Sequence, residues 1–307
     1  MSSGFLALNN NNKVLVSSDT RNLHFLGKAI YNATIKSFDG YGGLRQYTFR
    51  IACNVTPVPF ITMPTADAYG VSAVRQVTTG IWEIEVIRSG TGDAVPEVYV
   101  FCDPRGFSSA RDSGYGMLVL ANDGTPAFDS RLSPLLVTNG FTVTQASNPL
   151  TVSPSGLDAK YCNSDASGQF GPNNDGVPSS YTQTETKPIF FYPTLSQSER
   201  EFTFYASEEE CDGFDAYGNC VGAKRLYSWN SRYWAFYRGG IKRGSGSVIP
   251  SWITCDYGCN WDYRLNSSFI GIGTGGSSGS SGTWPYSNET LNIVPISVIV
   301  SDGAIYD

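Results

Sequence analysis

Residues 4–18 and 116–130 read alike at a constant offset of 112 positions. At that offset Gly4 meets Gly116, Leu6 meets Leu118 and Leu8 meets Leu120; Asn10 meets Asn122, Val16 meets Phe128 and Ser18 meets Ser130. Each copy is a short alternating apolar strand, a tight polar turn and a return strand, the signature of a β-hairpin. A match without a gap across both arms of a hairpin points to duplication of one module. It predicts two modules, each opened by the hairpin.

A chain of 307 residues has room for two domains. Charged residues make up 16% of it, against a usual share of about 25%, while Gly, Tyr and Phe are abundant. This is an all-β, loop-rich composition, and no long segment has helical period. Residues 196–206 begin with some helical character but run into the strand-like Glu201-Phe202-Thr203-Phe204-Tyr205. A net charge of −6 argues against a nucleic-acid partner, which needs a positive surface to displace counterions. The cluster of Arg238, Lys242 and Arg243 reads as a solvated, Gly-rich turn. No apolar run is long enough to span a bilayer. The N-terminus has neither a basic nor an apolar leader region, so synthesis in a cytosol is expected.

The fold expected is two tandem β-sandwich-like modules, residues 1–106 and 107–307, the second with long loop insertions. In the first, Ile81-Trp82-Glu83-Ile84-Glu85-Val86-Ile87 alternates, which predicts Glu83 and Glu85 on a solvent face. Asp103-Pro104-Arg105-Gly106 reads as a turn before a Ser/Gly linker. In the second module, Ile189-Phe190-Phe191-Tyr192-Pro193 is similar in character and placement to Pro59-Phe60-Ile61-Thr62-Met63-Pro64. Residues 163–186 and 271–282 read as polar loops, and the last strand carries Pro295, which favours an edge or a bulge.

Few residues carry recognisable chemistry. There is no phosphate-binding loop and no dinucleotide fingerprint. His24, the only histidine, sits between Leu23 and Phe25 and reads as structural. Gly275-Gly276-Ser277-Ser278-Gly279 matches a nucleophile elbow in form but lies in a Gly/Ser run without the strand-to-helix turn that motif needs. Neither catalytic residues nor a cofactor are expected.

Trp229, Tyr233, Trp234, Trp252 and Trp261 stand out as binding candidates. Large, rigid aromatics suit a core, a subunit interface or contact with a ligand or receptor. Seven cysteines cannot all pair within one chain. Cys53 and Cys102 lie in apolar runs and read as buried small hydrophobes. Cys211, Cys220, Cys255 and Cys259 bracket turn-rich loops as free thiols, disulfides or metal ligands, although neither spacing is that of a common zinc ribbon.

The stretch from Gly114 through Asn122-Asp123-Gly124 to Phe128-Asp129-Ser130-Arg131 resembles small tail-associated proteins of tailed, siphovirus-like bacteriophages. The strand pair before it, from Trp82 to Phe101-Cys102-Asp103-Pro104, is similar to what precedes the motif in such phages. The first copy departs from the motif, with Val16-Ser17-Ser18 in place of Phe-Asp-Ser. The resemblance implies a non-enzymatic structural protein of the virion, located at the tail tip. Its expected partners are other phage tail proteins, a host-cell receptor and further copies of itself, with a trimer favoured. The alternatives are a virion-associated glycan-binding or glycan-degrading protein and a bacterial surface lectin.

Overall fold

The computed structural model describes residues 6–8, 14–17, 21–38, 43–90, 92–107, 115–147, 175–211, 213–217, 219, 221–272 and 286–307. Within these, the side chains of residues 6–17, 200–211, 224–233, 257–272 and 286–289 are outside the description. The chain is all-β. The first half holds β1 (Leu6–Leu8), β2 (Val14–Ser17), β3 (His24–Lys28), β4 (Ile30–Phe38), β5 (Leu44–Ala52), β6 (Val58–Ile61), β7 (Tyr69–Thr78), β8 (Ile81–Ser89) and β9 (Val98–Cys102). The second holds β10 (Leu118–Leu120), β11 (Pro126–Asp129), β12 (Val137–Val143), β13 (Ser179–Ser180), β14 (Pro188–Phe191), β15 (Gln197–Cys211), β16 (Ala223–Gly244), β17 (Ser247–Ile272), β18 (Tyr286–Asn292) and β19 (Ile296–Asp302).

The two hairpins share one register. Leu6 pairs with Ser17, Ala7 with Val16 and Leu8 with Val14, with an irregularity after Ala7. Leu118 pairs with Asp129, Val119 with Phe128 and Leu120 with Pro126, with the irregularity after Val119. Every pair and the break are displaced by the same 112 positions. In the second copy the turn closes through Ala121 and Thr125 (N···O 2.8 Å), with Gly124 at φ +77°. A left-handed residue is needed there, which explains the glycine. Asp123 locks the turn by accepting from the Thr125 N–H (3.0 Å) and hydroxyl (2.6 Å).

The duplication extends beyond the hairpins. One sheet has the order β12-β19-β14-β6-β9-β3, and the other runs β13-β17-β16-β7-β8-β5-β4, with β15 and β18 added beside β16. Each half therefore contributes two matching sets: β3-β9-β6 answers β12-β19-β14, and β5-β8-β7 answers β13-β17-β16. The sets meet edge to edge, β6 with β14 at Ile61 and Phe190, and β7 with β16 at Tyr69 and Ile241. The all-β, sandwich-like expectation holds, with the two halves joined. The boundary near residue 106 divides the sequence, whereas the strands of both halves run through two shared sheets. The physical reason is the edge itself. β6, β7, β14 and β16 would each present unpaired backbone groups, and joining the halves satisfies them. At the second junction the chains pass so closely that a Cβ on Gly240 would lie 2.9 Å from the Tyr69 carbonyl oxygen.

One core lies between the sheets, with Tyr47, Phe49, Ile84 and Val86 facing Val98, Val100, Phe190, Val298 and Val300. The other face of the six-stranded sheet encloses a second core of Phe60, Tyr99, Phe101, Ile189 and Tyr306. That sheet curls until its ends meet. Phe25 N–H reaches Ser133 O (2.7 Å), Leu135 N–H reaches Leu23 O (2.8 Å), and His24 bridges to Pro134. Tyr306 plugs the curl. Its hydroxyl donates to Pro134 O (2.9 Å) and accepts from Leu136 N–H (2.9 Å). On the outer face of the larger sheet, Glu83 departs from its expected solvent position and is only 6% exposed. Its strand neighbours Arg50 and Arg75 close over it, with contacts of 3.1 and 2.6 Å.

His24 sits at the seam of the curl, fully buried. Its Nδ1 lies 3.0 Å from Asn22 O, its ring lies 5.4 Å from that of Phe128, and Nε2 has no hydrogen-bond partner. Burial lowers its pKa below the ordinary 6.5, against opposing pulls from the Asn22 carbonyl and Asp129. As pH falls below 6.5, the unfolded chain takes up a proton that the folded chain resists. Stability should therefore decline by up to about 1.4 kcal/mol per pH unit. His24→Gln should flatten that part of the pH–stability curve, as read by urea denaturation between pH 7 and 5. A separate acid loss from Glu83, whose pKa is lowered by Arg75, sets in below about 4.5 and should remain. An unchanged slope in the variant would refute the assignment.

The shared sheets also predict one cooperative unfolding transition for both halves. Phe190→Ala, at the β6–β14 junction, should cost about 3–5 kcal/mol and shift the whole transition. Two separable calorimetric transitions, or independent folding of residues 1–106, would contradict the shared architecture.

Candidate functional site

The second half differs from the first in one extended feature. β7 and β8 are 10 and 9 residues long, whereas their counterparts β16 and β17 are 22 and 26. At about 3.3 Å per residue, β16 spans roughly 70 Å. Only its C-terminal part belongs to the sandwich. Towards Ala223 it pairs with β15 and β17 in an antiparallel arm, and β18 adds a fourth strand beside β15 only from Gln197 to Phe202, near the base. The base of the arm is tied down. Arg238 donates to Ser72 O (3.1 Å), Gly239 N–H to Ser196 O (2.9 Å) and Lys36 to Cys255 O (2.6 Å).

Strand register sorts the arm into two faces. Ala235, Tyr237, Gly239 and Ile241 are buried, so the odd-numbered face of β16 continues the core-facing side of the sheet. By the same alternation Tyr227, Trp229 and Tyr233 occupy that face. Their cross-strand partners put more aromatic residues on it: Tyr263 opposite Trp229, Trp261 opposite Ser231 and Tyr257 opposite Ala235. Phe202 lies opposite Tyr233, with Tyr286 beyond it, and Phe204 lies opposite Ser231. The other face is mostly polar. Glu201, Thr203, Asn230, Arg232, Asn260 and Asp262 share it with Trp234 and Phe236.

The five aromatic candidates therefore separate. Trp229, Tyr233 and Trp261 hold register positions on the aromatic face of the arm, and their side chains are outside the description. Trp252 shares that side of the sheet but lies within the sandwich, where it is fully buried and donates its indole N–H to Ala146 O (3.1 Å). Trp234 is half-buried on the opposite face. Neighbouring strand residues point oppositely, so Tyr233 and Trp234 cannot serve one flat surface together.

The cysteine candidates separate as well. Cys211 pairs with Lys224 and Cys259 with Tyr233, nine positions apart along β16 and so roughly 30 Å distant. Cys255 and Cys259 are four positions apart on one strand, roughly 13 Å, beyond disulfide reach. Cys255 is a free thiol whose pKa is pushed up to about 12 by burial. Cys220 lies outside the described residues. Among the described residues no group of three or more His, Cys, Asp or Glu could hold a metal.

Charged groups elsewhere are engaged with partners. A cleft of about 450 Å³ between the halves is lined by Thr62, Met63, Glu97, Gln183, Lys187 and Arg243. Beside it Lys187 contacts Glu97 (2.5 Å) and Asp307 (2.9 Å), Lys28 contacts Asp307 (2.6 Å), and both amines lie over the Tyr99 ring. The Glu97 carboxylate raises the Lys187 pKa, and Lys28 lowers that of Asp307. Glu185 is buried, which alone would raise its pKa. Hydrogen bonds from Thr138, Tyr181 (2.7 Å) and Thr184 N–H (3.0 Å) outweigh that and lower it. Sequence reasoning missed these clusters because their members are far apart in the chain.

Comparison with known proteins finds no matching family model, no matching curated protein and no matching solved structure. Among the described residues no helix is long and apolar enough to cross a membrane.

The contrast between Trp252 and Trp234 can be tested by chemical denaturation. Trp252→Ala removes a fully buried indole and should cost about 3–5 kcal/mol. Trp234→Ala should cost about 1 kcal/mol, because its side chain is already partly in water. Equal losses would reverse this assignment of core and surface.

Proposed function

We propose that the chain is a non-enzymatic structural component of a bacteriophage tail tip, acting in tail assembly and in contact with the host receptor. The observation that carries the reading is the arm. It is an elongated sheet, anchored in a duplicated β-scaffold, with one face aromatic by register and the other polar. Aromatic anchors on a rigid support dominate contact energy in protein interfaces. The repeated hairpin, whose second copy resembles tail-associated proteins, supports placement in the virion. In this reading the sandwich is the attachment body, and the arm meets other copies of the chain, other tail proteins or the receptor. A trimer is favoured.

The same face also suits stacking against sugar rings, which keeps a glycan-binding role as the second reading. Light scattering on the purified chain and an adsorption assay on particles carrying Trp261→Ala or Trp234→Ala separate the two. The assembly reading expects an oligomer, together with lower particle yield or slower adsorption in folded variants. A monomer that binds oligosaccharide and loses that binding in Trp261→Ala would favour the glycan reading. Normal assembly and adsorption in both folded variants would overturn the proposed role of the arm.

A further inference from the structure

Cys53 follows β5 in the larger sheet, and Cys102 ends β9 in the six-stranded sheet. They are 49 positions apart in the chain, yet both sulfurs lie against Gly106. Both are buried, at 2% and 0% exposure, and both are free. The turn at Pro104–Gly106 closes over the pair. A Cβ on Gly106 would lie 2.4 Å from the Cys102 sulfur and 2.8 Å from that of Cys53, so only glycine fits against the two sulfurs. The backbone around Cys53 is held on three sides. Its N–H donates to Gly80 O (2.8 Å), Trp82 Nε1 donates to its carbonyl (2.9 Å), and Asn54 N–H donates to Gly106 O (3.1 Å). Cys102 is held by pairing with His24.

We propose that Cys53 and Cys102 are a redox modification site, at which a small peroxide oxidant closes a disulfide between the two sheets. The Cys53 thiolate attacks one peroxide oxygen, the O–O bond breaks, and Cys53 becomes a sulfenic acid as water leaves. The Cys102 sulfur then attacks the sulfenic sulfur. A second water leaves with the Cys102 proton, and the S–S bond forms. Each sulfur gives up one electron, and the peroxide takes both. The neighbouring Cys102 thiol lowers the Cys53 pKa, while the Cys53 sulfur and burial raise that of Cys102. This assigns attack to Cys53 and resolution to Cys102. A small oxidant suits a pair under a single turn, and the two sulfurs, both against Gly106, must close to about 2.05 Å. The loop sealed by the bond contains β6 and β7, the two strands through which the first half joins the second. The disulfide would thus staple the seam from one side. The inference is independent of any role in a virion.

The test is peroxide treatment of the folded full-length chain, alkylation of remaining thiols, and peptide mapping without reduction. The expected result is a linked peptide pair containing Cys53 and Cys102, 2 Da lighter than the reduced pair and reversed by dithiothreitol. A rise in Tm of several degrees should accompany it. Cys102→Ser should instead leave a sulfenic acid on Cys53 that dimedone traps. Alkylation of both thiols after treatment would overturn the proposal. So would oxidation of Cys53 to sulfinic acid without a link, or a link that forms only in denaturant. Mapping on the unsubstituted chain keeps the test decisive if a serine variant fails to fold.

Discussion

The satisfaction of sheet edges governs this structure. Each half, taken alone, ends in two edge strands whose backbone donors and acceptors point outward. The halves solve this together by pairing β6 with β14 and β7 with β16, so that four edges become two seams. β6 meets β14 at Ile61 and Phe190, and β7 meets β16 at Tyr69 and Ile241, all four residues buried. Backbone bonds from Val71 N–H to Tyr192 O (3.3 Å) and from Thr194 N–H to Val71 O (3.0 Å) join the halves at the same place. The remaining ends of the six-stranded sheet meet each other where residues 21–25 bond to 133–135. Curling brings the ends of that sheet together and creates the second core, into which the chain's own Tyr306 inserts.

The arm follows from the same rule. Lengthening β16 and β17 beyond the sandwich creates new backbone edges, and β15 and β18 cover part of that length. The sequence of the arm alternates with a period of two, like a sandwich strand, and the described buried residues on these strands reach Ala235 on β16 and Thr254 on β17. The first half has no counterpart to the arm among its described strands.

Charged residues tie the frame together across strands. Arg50, Glu83 and Arg75 form a ladder across three neighbouring strands. Lys28, Glu97, Lys187 and Asp307 gather around Tyr99, tying the C-terminal residue to both halves. Each carboxylate in these groups has its pKa held down by a cation or by hydrogen bonds, the condition of a structural ion pair rather than of a group poised to exchange protons near neutrality.

Much was legible in the chain because it is local. The offset of 112 marked both hairpins, and the likeness between the segments around Ile61 and Phe190 marked the two strands that later proved to meet. Alternation located β8 and the aromatic segment, and composition was enough for an all-β chain. What stayed illegible was which strand lies beside which. Nothing local distinguishes two separate sandwiches from two halves sharing both sheets, because that choice depends on edges meeting across more than a hundred residues. For the same reason Cys53 and Cys102 read as unrelated apolar positions, and Glu83 as a solvent residue beneath two arginines that only the sheet brings over it. The sequence by itself determined the period of each strand, the turns and the repeat, since these depend on neighbouring residues. Only the tertiary structure decided the seams, the closed curl, the thiol pair and the faces of the arm, since each depends on backbone pairing between distant segments.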